Sequence, residues 1–97
     1  MRVIAKRTLR EYWENHHDCR NALETWYKMM SNVTCQTPND LEATFPRCSI
    51  LSDNRAVFRI KGNSYRLVVE IDYKFLLVFI RFIGTHAEYD KIDATII

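Results

Sequence analysis

The side chains best suited to chemistry lie in the second half of the chain. Between Asn54 and Val69 stand four basic residues, Arg55, Arg59, Lys61 and Arg66, and no acid. Arg81 follows, and then the run Thr85-His86-Ala87-Glu88-Tyr89-Asp90. An arginine presents two parallel N–H donors in a plane, which suits the oxygens of a phosphate. A histidine close by can take or give a proton near neutral pH. At the first position of a helix its imidazolium is disfavoured by the helix dipole, so a neutral imidazole is expected for His86. Tyr89 and Asp90 stand at i+3 and i+4 from His86, on the same side of that helix. Asp90 can orient the ring, and Tyr89 can donate a hydrogen bond or a proton. Tyr89, Ile92 and Ile96 also form an apolar stripe, so the Tyr89 ring has a packing role open to it as well.

Composition narrows the classes. The chain has 97 residues and a formal net charge of +2. This length supports one domain, taken as residues 1–97, because two cores would each be too small to bury enough surface. A nearly neutral chain with a local basic patch points to one anionic site rather than a general polyanion coat. Two glycines in total leave no room for a phosphate loop or a dinucleotide fingerprint. The apolar run from Phe75 to Ile80 is far short of a membrane span, and the first residues lack the apolar stretch of a signal peptide. Cys19, Cys35 and Cys48 are odd in number and irregular in spacing, which fits reduced thiols in a cytoplasmic protein. They lie away from His86, so a Cys–His nucleophile is not indicated. His16 and His17 lack partners at metal-ligand spacing, and neither a metal nor another cofactor is expected.

The elements that must position these groups can be read from periodicity. Arg2 to Ala5 reads as a short strand. Thr8 and Glu11 have capping-box spacing, which predicts a helix from Leu9. Asp18 is placed to cap a second helix, whose stripe is Cys19, Ala22, Leu23, Trp26, Tyr27, Met30 and Val33. Thr37-Pro38-Asn39-Asp40 predicts a third helix to about Phe45, stopped by Pro46. Ala56 to Lys61, Ser64 to Asp72 and Phe75 to Ile83 read as strands, with tight turns at Gly62-Asn63 and Tyr73-Lys74. Thr85 and Glu88 form another capping box, so a last helix should begin at His86.

Two-residue turns fix a register. The first pairs Ile60 with Tyr65, Arg59 with Arg66 and Phe58 with Leu67. The second pairs Asp72 with Phe75, Leu67 with Ile80 and Arg66 with Arg81. One face then carries Phe58, Ile60, Tyr65, Leu67, Val69, Ile71, Leu76, Val78, Ile80 and Phe82, ready to receive the helices. The other carries Arg59, Arg66 and Arg81 in a row. Like charges directly opposite are destabilising, so the row is best explained by an anion lying across it. The competing explanation pairs these arginines with Glu70 and Asp72 on the same face.

These stretches resemble a known family. Arg55-Ala56-Val57-Phe58-Arg59-Ile60-Lys61-Gly62-Asn63-Ser64-Tyr65-Arg66-Leu67-Val68-Val69 is similar to the central hairpin of HigB-type toxins. Ile80-Arg81-Phe82-Ile83-Gly84-Thr85-His86-Ala87-Glu88-Tyr89-Asp90 is similar to their C-terminal signature. The segment from Thr37-Pro38-Asn39-Asp40-Leu41 to Phe45-Pro46 resembles the family's middle. The resemblance implies an α+β, RelE-like fold, with N-terminal helices on one face of a small, mostly antiparallel, curved sheet and a short C-terminal helix. It implies a type II toxin that cuts mRNA, usually on the ribosome, and is neutralised by a HigA-type helix-turn-helix antitoxin in a hetero-oligomer. Arg66, Arg81, His86 and Tyr89 fall on matching positions, and Asp90 matches the motif.

The chemistry expected of these residues is metal-independent. RNA cleavage by the 2′-OH needs a base, donors for the developing charge on phosphorus, and an acid for the 5′-oxygen. Arg66 and Arg81 are assigned to the scissile phosphate, and His86 serves as base or acid, assisted by Tyr89 or Asp90. Arg55, Arg59 and Lys61 are assigned to the flanking RNA backbone. The alternative is a module of the same fold that binds RNA or the ribosome without cutting. A third reading makes Trp26, Tyr27, Met29 and Met30 a protein-interaction surface, although their helical spacing favours core.

Overall fold

The computed structural model describes residues 1–97. β1 is Arg2–Ile4 and α1 is Lys6–Asn15. A one-turn 3-10 helix, His17–Cys19, leads into α2, Arg20–Asn32, and then α3, Pro38–Thr44. β2 is Ser49–Ile50, β3 Arg55–Ile60, β4 Tyr65–Asp72 and β5 Leu77–Thr85, and α4 is His86–Tyr89. The strands form one sheet in the order β1-β5-β4-β3-β2. β1 runs parallel to β5, and the other neighbours are antiparallel. This is the α+β, RelE-like arrangement that the sequence implied. No helix is long and apolar enough to cross a membrane.

The helices pack on one face of the sheet because their apolar stripes meet its apolar side. Leu9 and Trp13 of α1, Leu23, Trp26 and Met30 of α2 and Leu41 of α3 are buried against Phe58, Ile60, Leu67, Val69, Ile71 and Val78. Each large side chain taken fully out of water contributes about 1.5–3 kcal/mol before entropy is charged. Trp26 and Phe45 both meet the Phe58 ring edge-on, at centroid distances of 5.4 and 5.1 Å.

Local signals were answered unevenly. At α3 the Thr37 hydroxyl accepts the Asp40 N–H at 3.2 Å, with Pro38 in the first turn, as the sequence predicts. α1 begins at Lys6 rather than Leu9, and the Thr8 capping box is not formed. Arg7 holds the Glu11 carboxylate at 2.6 Å, so it does not reach back to the Thr8 backbone. Asp18 does not cap α2, since Cys19 occupies that position. Its carboxylate instead accepts from the Tyr65 hydroxyl at 2.7 Å and from Lys61 Nζ at 3.0 Å. These contacts span more than forty residues of chain. Two-residue β2 is too short to leave a periodic signal in the sequence.

The first hairpin has the expected register: Ile60 faces Tyr65, Arg59 faces Arg66 and Phe58 faces Leu67. The second does not. Its connection is the four-residue stretch Tyr73 to Leu76, not a two-residue turn, and Asp72 faces Leu77 rather than Phe75. The Asp72 carboxylate accepts the N–H groups of Lys74 and Phe75, both at 3.0 Å, and Leu76 adopts a left-handed φ of 57°. Aspartate so placed nucleates a turn of its own, which outweighs the two-residue alternative. A bulge follows. Val69 faces Ile80 while Val68 faces Phe82, leaving Arg81 as the extra residue. One inserted residue exchanges the faces beyond it. Ile83 therefore turns toward the helices, and Phe82 turns to the opposite side, where it packs with Val57 and Val68. The expected pairing of Arg66 with Arg81 and the placement of Phe82 on the helix-facing side are thus corrected. Leu76 lies in the turn and not on that face.

Candidate active site and RNA-contact surface

The bulge divides the arginines of the outer face into two groups. Arg59 and Arg66 remain directly opposite each other, and Arg66 faces Gly84 on its other side. The Arg66 side chain is one of the molecule's buried groups, at 7% exposure. Its Nη1 donates to the carbonyls of Asn63 at 2.9 Å and Tyr65 at 3.2 Å, and no carboxylate pairs with it. Neutral carbonyls compensate a desolvated cation only in part. Arg59 is exposed and likewise has no acidic partner.

The second group centres on Glu70. Arg81 donates to its Oε1 from Nε at 3.1 Å and from Nη2. Arg55 reaches the other carboxylate oxygen at 3.4 Å. Arg55 also donates to the carbonyls of Asp53 and Ile97, the latter from Nε at 3.1 Å and Nη2 at 2.6 Å. Its side chain is only 12% exposed. Between the two groups lies an apolar plug. Val57 and Val68 are covered by Ala94, with Phe82, Tyr89, Leu51 and Ile97 around them. The last residues of the chain thus fold over the middle of the face on which the sequence drew an uninterrupted basic row. Of the Tyr89, Ile92 and Ile96 stripe only Tyr89 joins this cover, and Ile96 is exposed.

His86 opens α4 with the predicted cap. The Thr85 hydroxyl accepts the Glu88 N–H at 3.2 Å, and the Glu88 carboxylate accepts the Thr85 N–H at 2.8 Å. The Thr85 backbone N–H, and then its side chain, hold the Glu88 carboxyl below its ordinary range. α4 is one turn long, so the Tyr89–Ile92–Ile96 stripe is not helical throughout, and the Tyr89 ring packs against the plug. His86 Nδ1 lies 3.2 Å from Asp90 Oδ2, and both side chains are more than half exposed. The His86 N–H donates to the Ser64 carbonyl at 3.2 Å. Arg66 grips the adjacent Asn63 carbonyl, so one hairpin loop ties the buried guanidinium and the histidine to the same end of the sheet.

The remaining candidates lie apart from this pair. Lys61 is bound to Asp18 on the helix side of the loop. Asp18 also draws the Tyr65 hydroxyl, whose pKa is pushed up to about 12 chiefly by that bond. The Asp18 carboxyl is lowered in turn. His16 stacks on Tyr12 with ring centroids 4.0 Å apart and bonds the Tyr12 carbonyl through Nδ1. Cys19 and Cys35 are buried, Cys48 is partly so, and all three are free thiols. Sequence reasoning named Arg66 and His86 but not the carbonyls of Asn63 and Ser64 that hold them. Main-chain partners carry no residue-type signature.

Comparison with known proteins identifies the family. Residues 19–92 match the family model described as HigB_toxin, RelE-like toxic component of a toxin-antitoxin system. An mRNA interferase HigB of one Escherichia coli strain is 26% identical over 94 residues, covering 95% of this chain and 91% of that protein. An mRNA interferase toxin HigB of another strain, and an mRNA interferase HigB of Shigella flexneri, are each 26% identical over 96 residues, covering 97% of this chain and 92% of the relative. The family model spans most of the chain and the fold agrees with it, so this chain belongs to the HigB toxin family, described as the RelE-like toxic component of a toxin-antitoxin system.

Proposed function

We propose that this toxin is an endoribonuclease that cuts mRNA by attack of a 2′-OH on the adjacent phosphorus. The observation that carries this reading is the nearly buried Arg66 guanidinium, which lacks a carboxylate and is tied through the Asn63–Ser64 loop to the His86–Asp90 pair. A phosphate supplies the anion that Arg66 lacks, through charge-assisted bonds of the strong kind. The names of its relatives, mRNA interferases, support mRNA as the substrate.

Each residue has a role in this reading. Arg66 binds the scissile phosphate and stabilises the charge that builds on its oxygens. The Asp90 carboxylate, 3.2 Å from His86 Nδ1, orients the ring, and Nε2 is the nitrogen offered to the RNA in this reading. Nε2 takes the 2′-OH proton as the 2′-oxygen–phosphorus bond forms, and the phosphorus–5′-oxygen bond breaks. The proton held on Nε2 is then passed through solvent water to the leaving 5′-oxygen, which restores the neutral imidazole and gives a 2′,3′-cyclic phosphate and a 5′-hydroxyl end. Asp90 is a positioning residue, and Tyr89, whose ring packs on the plug, is assigned an assisting hydroxyl. Arg59 and Lys61 hold flanking backbone. Arg81 keeps a side chain 41% exposed and contacts RNA beyond the plug, while Arg55 serves chiefly to fasten the C-terminal segment. No step needs a metal.

The ribosome is the proposed setting for cleavage. A net charge of +2 gives little long-range pull on RNA, so a scaffold that presents the message supplies the positioning. The antitoxin is proposed to be of the HigA type. The test is primer extension on a reporter mRNA after induction of the wild type, Arg66→Ala and His86→Ala. New mRNA ends with growth arrest, lost in both variants, are expected. Arrest without new ends would replace the nuclease by a module that binds RNA or the ribosome.

A further inference from the structure

The edge of the sheet beyond β2 is open. β2 covers only Ala56 and Val57 of β3. The Leu51 N–H donates to the Arg55 carbonyl, while the Ile71 N–H takes the Asn54 carbonyl on the other side. Peptide groups alternate along a strand, so Arg55, Val57 and Arg59 turn theirs toward the β2 edge. Val57 meets Ser49 there, and Arg59 meets no strand. Its N–H and C=O therefore face outward.

A groove of about 280 Å³ runs along this same edge. α2 forms one wall, the segment from Thr44 to Cys48 another, and Phe58 to Lys61 of β3 the third. Its floor is apolar and aromatic, from Trp26, Met29, Phe45 and Phe58. Met29 is 41% exposed. The Trp26 indole N–H is buried without a hydrogen-bond partner, although Trp26 itself is only 4% exposed. Arg47, Arg59 and Lys61 are the charged residues of the lining, and no acid is among them. Arg47 and Arg59 have no ion-pair partner within the chain.

We infer that this groove receives an extended, acidic segment of the antitoxin, which adds a strand to the free edge of β3 at Arg59. The inference rests on the reading of the chain as a toxin with an antitoxin partner. An extended peptide satisfies an open edge through its own main chain and places alternate side chains in the adjoining pocket. RNA has no alternating amide and carbonyl groups to match that edge. A carboxylate-rich segment meets the two unpaired cations of the rim, Arg47 and Arg59, and an aliphatic or aromatic side chain fills the floor. Such a segment would also occupy Arg59, and so withdraw one of the cations proposed for RNA.

The test uses the cognate antitoxin, purified and titrated against the intact toxin and two variants, Met29→Glu and Arg47→Glu. Both positions are exposed and stand outside the proposed nuclease machinery, and thermal melting checks that each variant folds. Expected are at least tenfold weaker antitoxin binding by each variant, unchanged mRNA cleavage, and at least tenfold slower hydrogen exchange of the Arg59 amide in the wild-type complex. Equal binding by the variants with an unprotected Arg59 amide overturns the groove as the docking site and leaves the toxin–antitoxin reading intact. A wild type that binds no antitoxin overturns that reading and the inference with it. Variants that keep the antitoxin but lose cleavage would show the groove to be an RNA channel, which also overturns the inference.

Discussion

Arg66 and Arg81 stand on the same outer face of the same sheet, yet the fold treats them in opposite ways. Arg66 is nearly buried and is held by two carbonyls with no carboxylate paired to it. Arg81 is half exposed and shares the Glu70 carboxylate with Arg55. The first cation is left uncompensated and the second is neutralised. A desolvated charge without a partner is the feature on which the proposed phosphate site rests, and a charge paired within its own fold is a fastening. The apolar plug of Val57, Val68, Ala94 and Phe82 separates the two and keeps Glu70 from quenching the Arg66 end.

Mutations should widen or collapse that contrast. Arg66→Ala should lower mRNA cleavage by roughly 10²–10³-fold, the scale for removing a donor aimed at developing charge. Single-turnover cleavage of a reporter mRNA measures it. Arg81→Ala should cost less than about tenfold in the same assay, because its interaction with RNA competes with Glu70 in a solvated place. Equal losses for the two would erase the distinction drawn between them.

Stability should sort the two groups in the reverse order. Glu70→Ala leaves Arg55 poorly exposed and without its carboxylate, so a loss of about 1–2 kcal/mol is expected in urea unfolding. The loss should come with easier release of the segment that ends at Ile97. Arg66→Ala should cost little in unfolding, since it also removes an uncompensated cation. Gly84→Ala probes the space beside Arg66. A Cβ there would meet the Phe82 ring at 2.5 Å and Glu88 at 3.1 Å, so the ring and the α4 cap must shift. About 1–3 kcal/mol of destabilisation is expected, together with lower cleavage, read by thermal melting and the reporter assay.

The smallest effect concerns the helix side of the same loop. The Asp18 carboxyl is lowered by bonds from Tyr65 and then Lys61, so the folded protein binds the proton less readily than the unfolded chain. Its contribution to stability is then present above the unfolded carboxyl pKa, near 4, and is lost as pH falls through the lower folded value. The gap in melting temperature between the wild type and Asp18→Asn should narrow between pH 5 and pH 2. A gap that widens toward acid would show that the loop is held in some other way.

Much of this could be read before any coordinates. The α2 stripe, the Thr37 and Thr85 caps, and the first hairpin are set by residue types a few positions apart, and all appear where the spacing puts them. The failures are also specific. Thr8 and Glu11 have the spacing of a cap, but Arg7 competes for the carboxylate. Asp18 has a capping side chain, but Tyr65 and Lys61 claim it from across the molecule. Tyr73-Lys74 looked like a two-residue turn, but Asp72 satisfies two amides beyond it and lengthens the loop.

The candidate site divides along the same line. Sequence by itself singled out the residues to which the proposed function gives the chemistry, namely Arg59, Arg66 and Arg81, and His86 with Asp90 at i+4. It also determined that the first two face each other, because a short hairpin between alternating strands allows one good register. Tertiary structure alone decided that Arg81 is not their neighbour. One bulged residue in β5 reverses the faces beyond it, and the C-terminal segment fills the gap so formed. Bulges and chain ends are placed by packing against distant parts of the molecule, and local residue pattern does not record such contacts.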